Sequence, residues 1–131
     1  MCLFYVSDPT SSDAADSYCN SKYQGDTIAI PNAFENKAIS EYLKQQISDS
    51  NQLVWLGAYA DNWSCCFGAE HGIKWFWYDY NIDFGYTNFA STENGDAIIG
   101  YGVAVNPSTG YWYMKNTTIQ LPFLCKALMK H

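Results

Sequence analysis

Val54-Trp55-Leu56-Gly57-Ala58 marks a change in the texture of the sequence. Bulky β-branched and aromatic side chains crowd this stretch. The same texture returns in Lys74-Trp75-Phe76-Trp77-Tyr78, Gly102-Val103-Ala104-Val105 and Tyr111-Trp112-Tyr113-Met114, with Gly, Asn, Asp and Pro between the runs. Such runs suit a pleated, half-buried surface, and the residues between them make turns. The second half of the chain is therefore expected to be a mostly antiparallel sheet. A last run, Leu121 to Lys126, alternates in polarity and delivers Cys125 to the end of the fold.

Upstream of Leu53 the spacing is helical. Pro31-Asn32 followed by Glu35 is a capping signal, in which Asn32 accepts from the first-turn amides while Glu35 reaches back. Ala38, Ile39, Tyr42, Leu43 and Ile47 then repeat on one face, with Glu41, Lys44, Gln45 and Ser48 on the other. An earlier helix is expected with Thr10 as its cap and Asp13 three residues on. Ala15, Tyr18 and Cys19 share its inner face, and Gly25 is its stop. Cys2 to Val6 suggests an opening strand that Asp8-Pro9-Thr10 breaks, and Thr27-Ile28-Ala29-Ile30 a short strand between the helices. Two helices ahead of an antiparallel sheet make an α+β fold.

At 131 residues the chain is expected to be one domain with a real core. Apolar residues make up 48% and aromatics 18%, which opposes disorder. A net charge of −6 with no Lys/Arg run argues against nucleic acid as a partner. No apolar stretch approaches the roughly 20 residues of a membrane helix, so no membrane insertion is expected. Met1 to Val6 is too short, and lacks the basic lead, for a signal peptide; the chain is expected to be a mature piece or to have lost an upstream part. Five cysteines without a Cys-x-x-Cys pair point to an oxidising, extracellular setting. The acceptor triplets Asn62-Trp63-Ser64 and Asn116-Thr117-Thr118 agree, making Asn62 and Asn116 candidate glycosylation sites, whereas Asn106-Pro107-Ser108 is excluded by its proline.

The order of these signals resembles the C-type lectin-like family across nearly the whole chain, from Cys2 to Lys126. The matching places are Ala14-Ala15-Asp16-Ser17-Tyr18-Cys19, Thr27-Ile28-Ala29-Ile30, Asn32-Ala33-Phe34-Glu35-Asn36, Val54-Trp55-Leu56-Gly57-Ala58, Trp75-Phe76-Trp77-Tyr78-Asp79 with Tyr86-Thr87-Asn88-Phe89, and Leu121-Pro122-Phe123-Leu124-Cys125. The resemblance implies a C-type lectin-like fold over residues 1–131, two helices flanking a mostly antiparallel sheet with a long-loop region, and a disulfide between Cys19 and Cys125. It also implies that Gly102 and Thr117 stand where the family's second bridge has its cysteines. Members with an amino-terminal hairpin have a cysteine at Cys2 bonded to one further upstream. Cys65 and Cys66 fall in an apparent insertion, Asp61 to Ile73, and are candidates for a strained vicinal disulfide, with Cys2 or a second chain as alternative partners. Zinc on Cys65, Cys66 and His71 lacks a fourth ligand and a usual spacing.

Sugar-binding members hold calcium with a Glu-Pro-Asn or Gln-Pro-Asp triplet, a later acid and an Asn-Asp pair after a strand tryptophan. Here the loop reads Thr92-Glu93-Asn94, the later acid falls near Ile99 and Gly100, and Trp112 is followed by Tyr113 and Met114. Calcium needs six to eight oxygen ligands, so the usual site is disfavoured. Glu93, Asn94 and Asp96 remain as a modified site on a loop that otherwise reads as solvated. Trp55, Trp75, Trp77 and Trp112 read as core. Tyr78, Tyr80, Phe84, Tyr86, Tyr111 and Tyr113 form a candidate binding surface, with Tyr86, Tyr111 and Tyr113 nearest the loop. An acid pair such as Asp79 with Asp83 suits glycosidase chemistry only if held across a cleft, and neither His71 nor His131 has a nucleophile beside it. The expectation is therefore a non-enzymatic, secreted recognition module without a cofactor. Its ligand would be an extracellular protein or glycan, with a disulfide-linked or non-covalent dimer as a further option.

Overall fold

The computed structural model describes residues 2–127. Its elements follow as β1 (Cys2–Thr10), α1 (Ser12–Tyr23), β2 (Asp26–Thr27), α2 (Ala33–Gln46), β3 (Val54–Cys65), β4 (Glu70–Trp77), β5 (Tyr101–Val105), β6 (Trp112–Asn116) and β7 (Leu121–Ala127). The sheet runs β1-β7-β3-β5-β6, with β2 alongside β7 and β4 alongside β3. All these pairings are antiparallel except the one between β3 and β7, made where Trp55 meets Phe123. The expected α+β architecture is what the chain adopts, two helices on a mostly antiparallel sheet.

The disulfide joins Cys19 of α1 to Cys125 of β7, with both cysteines wholly buried. Around it Ala15, Trp55, Ala104 and Phe123 form one cluster of the core. A larger cluster lies beneath α2, where Ile28, Ile30, Ile39, Leu43, Val54, Leu56, Trp77 and Trp112 meet. The four tryptophans read as core are all buried, Trp55, Trp75, Trp77 and Trp112.

Several local readings need correction. Asp8-Pro9 does not end the first strand; the register of β1 against β7 shifts between Val6 and Thr10 instead, a bulge that accommodates the missing proline N–H. Thr10 therefore belongs to the strand, and Ser11 takes the cap position of α1, its hydroxyl donating to Asp13 Oδ1 at 3.0 Å. Tyr18 is exposed and not buried with Ala15 and Cys19, meeting the buried Phe123 edge-on from outside. Of Thr27 to Ile30, only Thr27 lies in a ladder. Ile28 continues the pairing on both sides, its N–H donating to Leu124 O and its carbonyl accepting from Gly57 N–H. In α2, Asn32 caps as expected, accepting from Glu35 N–H at 2.9 Å. Its buried face, however, carries Asn36, Ile39, Ser40 and Leu43, while Ala38 is exposed.

Gly25 is not the left-handed residue that ends α1. Gln24 takes that conformation, with φ 56°. Gly25 is required by proximity, since a Cβ there would run into the Lys126 carbonyl, and Gly57 in the same way faces the Thr27 carbonyl. Both glycines let α1 and β2 lie against the sheet without a side chain between.

Two stability predictions follow from this packing. Gly57→Ala should lower unfolding stability by about 3 kcal/mol, because the opposing atoms are backbone and cannot swing aside. Replacing Cys19 and Cys125 together with alanine should cost roughly 4 to 5 kcal/mol by the loop-entropy argument. Urea midpoints at unchanged slope measure both.

Candidate functional site

The segment between β4 and β5 is the long-loop region, and Trp112 is its anchor. The Trp112 ring is fully buried and meets Trp77, Phe84, Tyr86 and Phe89 edge-on, at centroid distances of 5.9, 6.4, 5.7 and 5.7 Å. Its backbone N–H donates to Asn88 O at 2.9 Å, and its carbonyl accepts from Ala90 N–H at 3.0 Å. Its indole Nε1 donates to Asn36 Oδ1 of α2 at 2.8 Å. The Asn36 amide in turn donates to Gly110 O at 3.0 Å, and the Asn88 amide donates to that same carbonyl at 2.7 Å. One residue thus joins helix, sheet and loop. Asn36 and Asn88 both lie in stretches quoted for the family resemblance, but polar side chains give no hydrophobic period from which burial could be read.

Beyond Ala90 the loop is tied down twice more. Trp75 Nε1 donates to Gly95 O at 2.8 Å, and Met114 N–H donates to Glu93 Oε1 at 2.7 Å. The Glu93 carboxylate is therefore committed to β6. Asn94 Oδ1 accepts from Asp96 N–H at 3.0 Å and closes a local turn. Among the described residues, no group of three or more His, Cys, Asp or Glu side chains converges as a metal site would. A calcium ion in this loop would find neither a carboxylate nor an amide side chain at Tyr113 or Met114, and would share Glu93 with Met114 N–H. The donor set does not fit the ion. Gly102 lies in β5 opposite Lys115 of β6, and Thr117 is held by its backbone: its N–H donates to Gly100 O at 2.9 Å, and its carbonyl accepts from Ser12 N–H at 3.0 Å.

The candidate tyrosines divide. Tyr86 packs on Trp112 and Tyr78 on Tyr59, the latter at 4.6 Å. Burial raises the phenol pKa of both above the ordinary value of 10.0, so each keeps its hydroxyl proton at neutral pH. Tyr111 is exposed and Tyr113 half-buried, and among the described residues no ring contact links them to each other or to Tyr86. The more concave surface lies elsewhere. A cleft of about 460 Å³ opens along β4, walled by Tyr59, Phe76, Tyr80 and Phe84 with Lys74 and Asp83 at its edges. Tyr80 is 88% exposed there. Trp77 lies under the cleft, and its buried Nε1 has no hydrogen-bond acceptor. Asp79 sits in a turn, its carboxylate accepting from Asn81 N–H at 3.2 Å and its carbonyl accepting from Ile82 N–H at 3.1 Å.

The Asp61 to Ile73 insertion is neither loop nor separate unit. It lengthens β3 and β4 into a hairpin, pairing Asp61 with Lys74 out to Cys65 with Glu70. Trp63, the fifth tryptophan, stands on this hairpin with Lys74 Nζ 3.5 Å above its ring. Cys65 and Cys66 lie at the tip as thiols, not as the bonded vicinal pair, with their sulfurs 2.8 Å apart. His71 faces Ser64 across the ribbon, so the zinc grouping is not assembled. His131 lies outside the described residues. Asn62 and Asn116 are both exposed, and the Thr118 hydroxyl donates to Asn116 Oδ1 at 2.7 Å.

This architecture is shared. The chain belongs to the C-type lectin domain family, whose model, described as "Lectin C-type domain", matches residues 8–127. Among solved structures it is similar to human lithostathine, at 20% identity over 96% of this chain and 90% of that one, with a TM-score of 0.75. It is also similar to CEL-IV, at 15% identity over 99% and 88% with a TM-score of 0.74. Ovocleidin-17, described as a major protein of the Gallus gallus eggshell calcified layer, is 20% identical over 98% and 91%, with a TM-score of 0.73. A comparison with curated protein sequences returns no match. Among the described residues, no helix is long and apolar enough to cross a membrane.

Because Glu93 acts as a backbone acceptor, Glu93→Ala should lower stability by about 1 to 2 kcal/mol, whereas Glu93→Gln, which retains the oxygen, should stay close to the parent. Chemical denaturation of the three proteins makes the comparison.

Proposed function

We propose that this chain is an extracellular recognition module that binds a protein or glycan ligand without the calcium-dependent sugar site usual in its family, and that it is not an enzyme. The observation that carries the reading is the hydrogen bond from Met114 N–H to Glu93 Oε1. It supports a structural role for the loop's central carboxylate, in a loop held by protein groups. The ligand surface is the aromatic cleft along β4, where Tyr80 and Phe76 offer faces for stacking while Lys74 and Asp83 offer a donor and an acceptor at the rim. The exposed acceptor residues Asn62 and Asn116 and the buried disulfide fit an oxidising, extracellular setting.

A ligand that binds only the folded state raises the melting temperature. The melting temperature should therefore be the same in millimolar calcium and in chelator. A rise of several degrees, reversed by chelator, would instead assign calcium to Glu93, Asn94 and Asp96 and support a lectin with a modified site. On a glycan and protein array run in both conditions, the strongest ligand should bind equally well. Tyr80→Ala should weaken that binding by about tenfold or more, as loss of an aromatic anchor does.

A further inference from the structure

The hairpin tip carries chemistry that ligand binding does not use. After Cys65, the residues Cys66, Phe67 and Gly68 turn the chain with φ of 57°, 57° and 84°. Two of these three left-handed residues are not glycine, a conformation L-residues avoid outside tight turns. The turn brings the two sulfurs to 2.8 Å. Cys66 is exposed and Cys65 partly so, and the Phe67 ring beyond them is fully exposed. Across the ribbon, the exposed Glu70 accepts through Oε2 from Cys65 Sγ at 3.5 Å. The contact with Cys66, then partial desolvation and then Glu70 hold the Cys65 thiol above its ordinary range. The two cysteines are thus unlike: one faces outward, and the other is held as a thiol directly behind it.

We propose that Cys65 and Cys66 form a reversible dithiol–disulfide site at the tip of the β3–β4 hairpin, with low-molecular-weight disulfides such as oxidised glutathione as its oxidant. The Cys66 thiolate attacks one sulfur of the small disulfide. A Cys66–glutathione bond forms, and one glutathione leaves with the proton that Cys66 gave up. Cys65, already against the Cys66 sulfur, then attacks that sulfur. The Cys65–Cys66 bond forms and the second glutathione departs with the Cys65 proton. The protein loses two hydrogens, and the small disulfide becomes two thiols. Excess reduced glutathione runs the steps backward. The ring so formed includes the backbone that leads into Phe67, so the shape of the exposed tip follows the thiol–disulfide balance around the protein.

The test is intact-mass analysis and unreduced peptide mapping after incubation with oxidised glutathione, beginning from protein exposed to mild reduced glutathione. The parent protein should lose the mass of two hydrogens, with the new link mapped to Cys65 and Cys66. Closed protein should outnumber retained adduct by on the order of tenfold, because a neighbouring thiol acts at a high effective concentration. Cys65→Ser should instead keep one glutathione on Cys66. Phenylarsine oxide, which bridges paired thiols, should bind the reduced parent and neither the oxidised parent nor Cys65→Ser. The buried Cys19–Cys125 bond should persist in every sample, and circular dichroism reports that each variant is folded. A stable glutathione adduct on Cys65 or Cys66 of the parent, a parent whose tip cysteines stay reduced, or a Cys66 link between two chains would each overturn the proposal.

Discussion

The hydrogen bonds of Trp112 are the constraint on which the rest of this structure depends. A buried indole N–H must find an acceptor or cost the desolvation of that group. Asn36, placed on the inner face of α2, supplies it at 2.8 Å. The backbone of Trp112 meanwhile zips the long loop to β6 through Asn88 and Ala90, in the manner of one more strand. Around this point four aromatic rings meet the indole edge-on, an arrangement that fixes orientation as well as burying area. The disulfide clasps the opposite side of the sheet. The fold thus has two fasteners: sulfur between α1 and β7, and an indole between α2 and the loop.

This explains how the loop region holds together without the family's second bridge or a fitting set of calcium ligands. Glu93 bonds to β6, Gly95 is caught by Trp75, and Thr117 spans Gly100 and Ser12. Each of these is a modest interaction singly, and together they tie this half of the fold to β4, β6 and α1. The tie at Gly95 requires glycine, since φ is 75° and a Cβ would press on the Phe89 ring at 2.8 Å.

Much of this was legible in the sequence. The aromatic runs at Val54, Lys74 and Trp112 mark β3, β4 and β6 because bulky side chains at strand spacing have few other uses. The order of these signals carried the family and the Cys19–Cys125 pairing. What escaped were features without a hydrophobic period. Asn36 and Ser40 occupy the buried face of α2 where the hydrophobic period points to Ala38; Asn36 is satisfied by Trp112 and Gly110, whereas the Ser40 hydroxyl finds no hydrogen-bond partner among the described residues. Gly25 resembles a helix stop in the sequence, whereas its constraint is a distant carbonyl at Lys126. The Asp61 to Ile73 insertion gave no sign that it would extend two core strands, since its charged and small residues resemble a loop. The cleft beside Tyr80 is assembled from β3, β4 and the turn after them, and no local spacing reveals such a meeting.

The long loop, on this reading, is ordered by protein groups alone. Amide hydrogen exchange of Ala90, Trp112 and Met114 in chelator, compared with calcium, tests it most directly. Slow exchange, equal in both conditions, is expected. Fast exchange in chelator that becomes slow when calcium is added would contradict it.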